Sequence, residues 1–124
     1  MTMTEPRFPV QVIRDVPVVI APEEIDITNA GLLRAALLHA AARSGAVLVA
    51  DMSRTRFCDS AGLHALVGAH RRAQAEGRQI RLVVTGPQPR RLLALTAVDR
   101  LIPVCASLDQ ALTHPAGTSR PAGR

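Results

Sequence analysis

The residues best suited to chemistry in this sequence lie in one short stretch. RFCDSAGL, residues 56–63, sets a carboxylate, Asp59, beside a hydroxyl, Ser60, and follows them with two small residues, Ala61 and Gly62. A second acidic stretch, Glu23-Glu24-Ile25-Asp26, lies upstream. A hydroxyl at the start of a helical pattern has two readings. It is an N-cap that satisfies amides left unpaired in the first turn, or a group held out for reaction. His64 follows Ser60 by one helical turn, so serine, histidine and aspartate stand close together. Hydrolysis still fits badly. A serine elbow wants Gly-x-Ser-x-Gly after a strand, position 58 is Cys, and no third group is placed to orient a histidine on the serine's own helix.

Other chemistries find less support. His39, His64, His70 and His114 show no metal-ligand spacing, and His64 and His70 turn to different faces of a helix. Neither G-x-G-x-x-G nor G-x-x-x-x-G-K-[ST] occurs, so no nucleotide cradle is indicated. Cys58 and Cys105 are far apart and read as buried thiols. No metal and no cofactor are expected. The formal charge is +5, and all 15 basic residues are arginine. They are scattered singly or in the pairs Arg71-Arg72 and Arg90-Arg91, with no Trp or Tyr and two Phe for base stacking. That pattern describes a solvated surface better than a nucleic-acid site, and no direct nucleic-acid partner is expected.

These residues need elements to position them, and 124 residues that are 48% hydrophobic suffice for one domain with its own core. Val10–Ile13 and Val16–Ala21 read as a hairpin across Arg14-Asp15. From Asn29 to about Arg43, Leu32, Leu33, Ala36, Leu37, Ala40 and Ala41 repeat with the helical period; Thr28 or Asn29 would cap the start, and Gly45 would close the end in the left-handed region. AVLVA, residues 46–50, reads as a strand buried on both faces. A second helix follows RFCDSAG to Glu76-Gly77, with Leu63, Leu66, Val67 and His70 on one stripe. IRLVV (80–84) is a strand, Arg90 to about Val98 a helix, Leu101–Cys105 a short strand, and Ser107 caps a last helix over 108–113. The segment 1–9 is expected to be flexible, 10–113 to form the domain, and the Pro- and Gly-rich 114–124 to be disordered.

Strands alternating with helices give an α/β fold with a mixed, mostly parallel sheet, an N-terminal hairpin and crossover helices. Parallel strands joined by right-handed crossovers place their carboxyl ends along one edge, so the loops after Ala21 and Ala50 become neighbours. Glu23, Glu24, Asp26, Asp59 and Ser60 should therefore gather as an acidic patch on a basic protein. Without a basic and apolar leader in MTMTEPRFP or an apolar run near 18 residues, a cytoplasmic protein off the membrane is expected.

VLVADMSRT, RFCDSAGLHAL, QIRLVVTG and RRLLALTAVDRLIPVCASLDQAL, together with EIDITNAGLLRAAL, resemble a STAS domain of the bacterial anti-sigma factor antagonist type. The likeness runs from about Val10 to Leu112, and D-S-x-G followed by Leu is its most specific element. It implies a signalling switch in transcription regulation, not an enzyme. In that family an anti-sigma factor with GHKL-type serine kinase activity phosphorylates the serine after the motif's aspartate, here Ser60. The unphosphorylated antagonist binds that factor and releases the sigma factor, and a PP2C-type phosphatase restores it. Mg-ATP belongs to the partner kinase. By this resemblance Glu24, Asp26, Asp59, Ser60 and Gly62 would meet the partner.

The chain departs from the family pattern at two places. Glu23 stands where a glycine often precedes Glu-x-Asp, which bears on the local turn and on partner choice. Ala97 replaces a frequent glycine, which would leave its helix to end without a left-handed residue. The competing reading of the same fold is a STAS scaffold in a sensory assembly, never phosphorylated.

Overall fold

The computed structural model describes residues 8–113. It follows the expected α/β order. Val10–Ile13 (β1) and Val16–Ile20 (β2) form an antiparallel hairpin. Glu24–Ile25 (β3) is a two-residue strand before the helix Ala30–Ala42 (α1). Val47–Met52 (β4) leads through Phe57–Cys58 (β5) into Ser60–Ala75 (α2). Gln79–Val84 (β6), Pro87–Leu95 (α3), a 3-10 turn over Val98–Arg100, Val104–Cys105 (β7) and Leu108–Thr113 (α4) complete it. Within the main sheet the order is β1-β2-β4-β6-β7, and every pairing after the hairpin is parallel.

Alternate residues of each strand serve two cores, as a pleated sheet requires. Val19, Leu48, Ala50, Ile80, Leu82 and Val84 face one way, where Leu33 and Leu37 of α1, Leu63 and Leu66 of α2 and Leu93 of α3 cover them. Val18, Val49, Val83 and Cys105 face the other way beneath Ala111 of α4. The central strands are thus buried on both faces, which is why AVLVA carries no polar alternation. Phe8, placed with the N-terminal segment by its sequence, belongs to the first core at 5% exposure. Residues 1–7 and the expected tail 114–124 lie outside the described residues.

Three local expectations are corrected. Gly45 does not adopt a positive φ: α1 ends as the Arg43 and Ser44 amides donate to Ala40 and Ala41 and the Ser44 hydroxyl donates back to Ala41. The left-handed glycine is Gly77 after α2, at φ +77°. Ala97 takes the left-handed conformation at φ 62° despite its Cβ, so α3 keeps the turn that a glycine would make more cheaply. Arg81 is no surface cation: only 4% exposed on β6, it donates to the Gln79 side chain and, at 2.8 Å, to the Ala111 carbonyl of α4. Desolvation lowers its pKa, with Cys105 opposing. The two-residue turn Arg14-Asp15 has positive φ at both positions, the hairpin geometry that matches sheet twist.

Candidate functional site

The acidic patch is assembled by a second, two-stranded sheet that the sequence pattern did not reveal. β3 pairs in parallel with β5, Glu24 beside Phe57 and Ile25 beside Cys58. The Asp59 amide then donates to the Ile25 carbonyl at 3.1 Å, which puts Asp26 and Asp59 side by side where the two strands lead toward α1 and α2. Beneath them β2 pairs with β4 through Val18–Val49, Val19–Ala50 and Ile20–Asp51, so the two strand ends are neighbours as parallel topology demands. Thr55 Oγ1 donates to the Pro22 carbonyl at 2.8 Å and fastens the two loops together.

β5 is held on its other side by a side chain. Gln88, in the first turn of α3, accepts from the Cys58 amide at 2.8 Å and donates to the Cys58 carbonyl at 2.9 Å, acting as one residue of a neighbouring strand. Gly86, just before α3, allows this approach, because a Cβ there would fall 2.6 Å from the Thr55 carbonyl oxygen. Burial, and secondarily the Asp59 charge, pushes the Cys58 thiol up to about 11. It therefore stays protonated at neutral pH and is no nucleophile.

The cap of α2 is Asp59. Its carboxylate accepts from the Gly62 amide at 3.0 Å, and its backbone is extended, as an N-cap requires. Ser60 is the first residue inside the helix and is exposed. Among the described residues its hydroxyl makes no hydrogen bond. Gly62, which the resemblance places in contact with the partner, is not on the surface. It is buried, and a Cβ there would sit 2.6 Å from Ile25 Cγ2 and 2.7 Å from Cys58 Sγ. The glycine lets the start of α2 press against the small sheet, which fixes where Ser60 points out.

Asp26 is set by its own loop. Its carboxylate accepts from the Thr28 hydroxyl and amide, which hold it below the usual carboxylate range. Asn29 occupies the N-cap of α1, but its side chain turns back, donating to the Glu24 carbonyl and accepting from the Asp26 amide. Glu24 is exposed, and Glu23 pairs with Arg56 across the two loops at 3.3 Å. Two large apolar side chains, Ile27 and Phe57, are exposed beside the acids. In the sequence their one signal is an apolar side chain flanking a charged motif. His64 is exposed, one turn along α2, and His70 is fully buried. Among the described residues no group of His, Cys, Asp and Glu could hold a metal ion, and no helix is long and apolar enough to cross a membrane.

The site is thus an exposed hydroxyl flanked by carboxylates at one edge of the α/β fold, with no hydrogen-bond partner for the hydroxyl among the described residues. The model of the STAS domain matches residues 7–111, and the chain belongs to that family. Solved structures agree. An anti-sigma factor antagonist from Mycobacterium paratuberculosis is 34% identical, over 86% of this chain and 90% of its own, with a TM-score of 0.78. A putative anti-sigma factor antagonist from Thermotoga maritima shares 22% identity over 85% and 91%, at a TM-score of 0.75. The Bacillus cell fate determinant SpoIIAA, solved in its phosphorylated form, shares 20% identity over 85% and 96%, at 0.64, a likeness of fold. No curated protein matches the chain in sequence.

Proposed function

We propose that this protein is an anti-sigma factor antagonist that works by partner switching. Unphosphorylated, it binds an anti-sigma factor that is also a GHKL-type serine kinase, and the sigma factor is released. The kinase, with its own Mg-ATP, transfers the γ-phosphoryl group to Ser60: the Ser60 oxygen bonds to phosphorus, the bond to ADP breaks, and the hydroxyl proton leaves to the kinase's base. A PP2C-type phosphatase reverses the modification in the cytoplasm. The protein itself catalyses nothing.

The observation that carries this reading is the exposed Ser60 hydroxyl, left without a hydrogen bond because Asp59 takes the capping role. The 34% identity to a mycobacterial antagonist supports the same role. Glu24, Asp26, Asp59 and Ser60 form the contact surface, and Gly62 shapes it from below. Phosphate adds about −1.5 to −2 charges at pH 7 beside Asp59 and Asp26, so a partner fitted to a hydroxyl among carboxylates is repelled. The start of a helix favours negative charge, so the fold tolerates the modification.

The test is binding and phosphotransfer against the serine-kinase anti-sigma factors of the same genome, with Mg-ATP, read by intact mass and peptide mapping. One phosphate on Ser60, absent in Ser60→Ala, with binding lost in the phosphoform and in Ser60→Asp and circular dichroism unchanged, is the expected result. Binding that survives Ser60→Asp, with the serine unmodified, would establish the scaffold instead.

A further inference from the structure

We propose that His64 is the intramolecular partner of the phosphate on Ser60, so that the phosphorylated state is graded by pH near neutrality. This deepens the reading above and rests on Ser60 being the modified serine. The helix α2 runs unbroken from Ser60 to Ala75, and His64 stands four residues from its first position. Residues at that spacing lie on one helix face with Cβ atoms about 5–6 Å apart, within reach of a phosphoserine and an imidazole. Both side chains are exposed, and among the described residues neither the Ser60 hydroxyl nor the His64 ring has a hydrogen bond or ion pair to give up.

The charged groups around this face are otherwise committed or further away. On α2, the Asp59 carboxylate is bound to the Gly62 amide. On the β3 loop, Asp26 is bound to Thr28. On the β5 loop, Arg56 is paired with Glu23. On α1, Arg34 lies across Gly68, its Nε 3.0 Å from where a Cβ would be, a full turn beyond His64. His64 is thus the cation nearest in sequence geometry to a phosphate at position 60, and Arg34 its one rival among these groups.

A phosphoserine loses its second proton near pH 6, and histidine titrates near 6.5, so both change charge across the same range. Imidazolium and phosphate dianion stabilise each other: the histidine then holds its proton to higher pH, and the phosphate releases its second proton at lower pH by an equal amount. Where the pair is formed, part of the added negative charge is offset, and the repulsion that turns a partner away is weaker than for phosphoserine alone.

The experiment places phosphoserine at position 60 of the whole chain by genetically encoded incorporation, which needs no cognate kinase, and follows the His64 ring and the phosphorus resonance by NMR through pH 5–8. The expected result is a His64 midpoint raised by about half a unit relative to the unmodified chain. A matching fall in the phosphate midpoint should be lost in His64→Gln and kept in Arg34→Gln. An identical His64 midpoint in both forms would overturn the pairing, as would a phosphate shift that survives His64→Gln and disappears in Arg34→Gln. Phosphotransfer to a serine other than Ser60 would overturn the functional reading while leaving the titration result intact, so the two failures are distinguishable.

Discussion

Asp59 and Ser60 are adjacent and do opposite jobs. A side chain that accepts from an amide two or three residues into a helix stabilises it, while one at the first helical position is free of that duty. Asp59 Oδ1 is 3.0 Å from the Gly62 amide, so the aspartate carries the structural task that a serine at this place often has. Asp59→Ala should therefore lower stability by about 1 kcal/mol, and Ser60→Ala should leave it within about 0.5 kcal/mol, when both are measured by urea denaturation. Comparable losses for the two would mean that the hydroxyl also caps. The division matters for a switch, because a serine that held the helix together could not be modified without cost to the fold. From sequence alone either residue could open the helix. Backbone conformation, extended at Asp59 and helical from Ser60, decides between them, and no composition rule reports it.

The site is built where three short elements meet, and its geometry depends on one side chain far away in sequence. Gln88 gives β5 both of the hydrogen bonds that a further strand would have supplied, from thirty residues downstream. Gln88→Leu leaves the Cys58 amide and carbonyl without these partners, which should cost about 1–3 kcal/mol. Amide exchange at Cys58 and Asp59 should quicken while the main sheet stays protected; unchanged exchange there would show that β3 alone holds the motif. The long elements were legible because periodicity spans many residues: Leu33 and Leu37 on α1, or the unbroken apolar β4, declare their faces. β3 and β5 were not, since two residues carry no period, and their pairing is stated only by the contact of segments more than thirty residues apart. Gly45 misled for a related reason. A glycine after a helix permits the left-handed turn but does not compel it, and here Ser44 closes α1 instead, whereas Ala97 accepts that turn because the chain must bend from α3 into the 3-10 segment.

At the scale of the molecule, the described residues set an acidic edge apart from a core that holds a few polar groups at a cost. The helical stripe that placed His70 beside Leu63 and Leu66 also carried it fully inside, where neither ring nitrogen finds a hydrogen-bond partner among the described residues. Burial lowers its pKa below 6.5; the backbone of Leu101 lies near enough to oppose the shift without reaching hydrogen-bond geometry. At pH 7.5 and above the ring is neutral in folded and unfolded chains alike, so it adds no pH dependence there. As pH falls through 6.5, the unfolded chain takes up a proton that the folded chain refuses, and stability drops until the lower folded pKa is reached. The unfolding midpoint of the protein should therefore fall below about pH 6.5 more steeply than that of His70→Leu, which also buries an apolar group where an unsatisfied one stood. Parallel pH profiles for the two would show that the acid sensitivity lies elsewhere. Since Ser60 lies on the same helix, ten residues before His70, acid would loosen α2 from its buried face while Ser60 stays on the exposed one. Comparing partner binding by the unmodified chain and by His70→Leu across this range would separate a loss of fold from a change at the surface, because only the former is removed by the substitution.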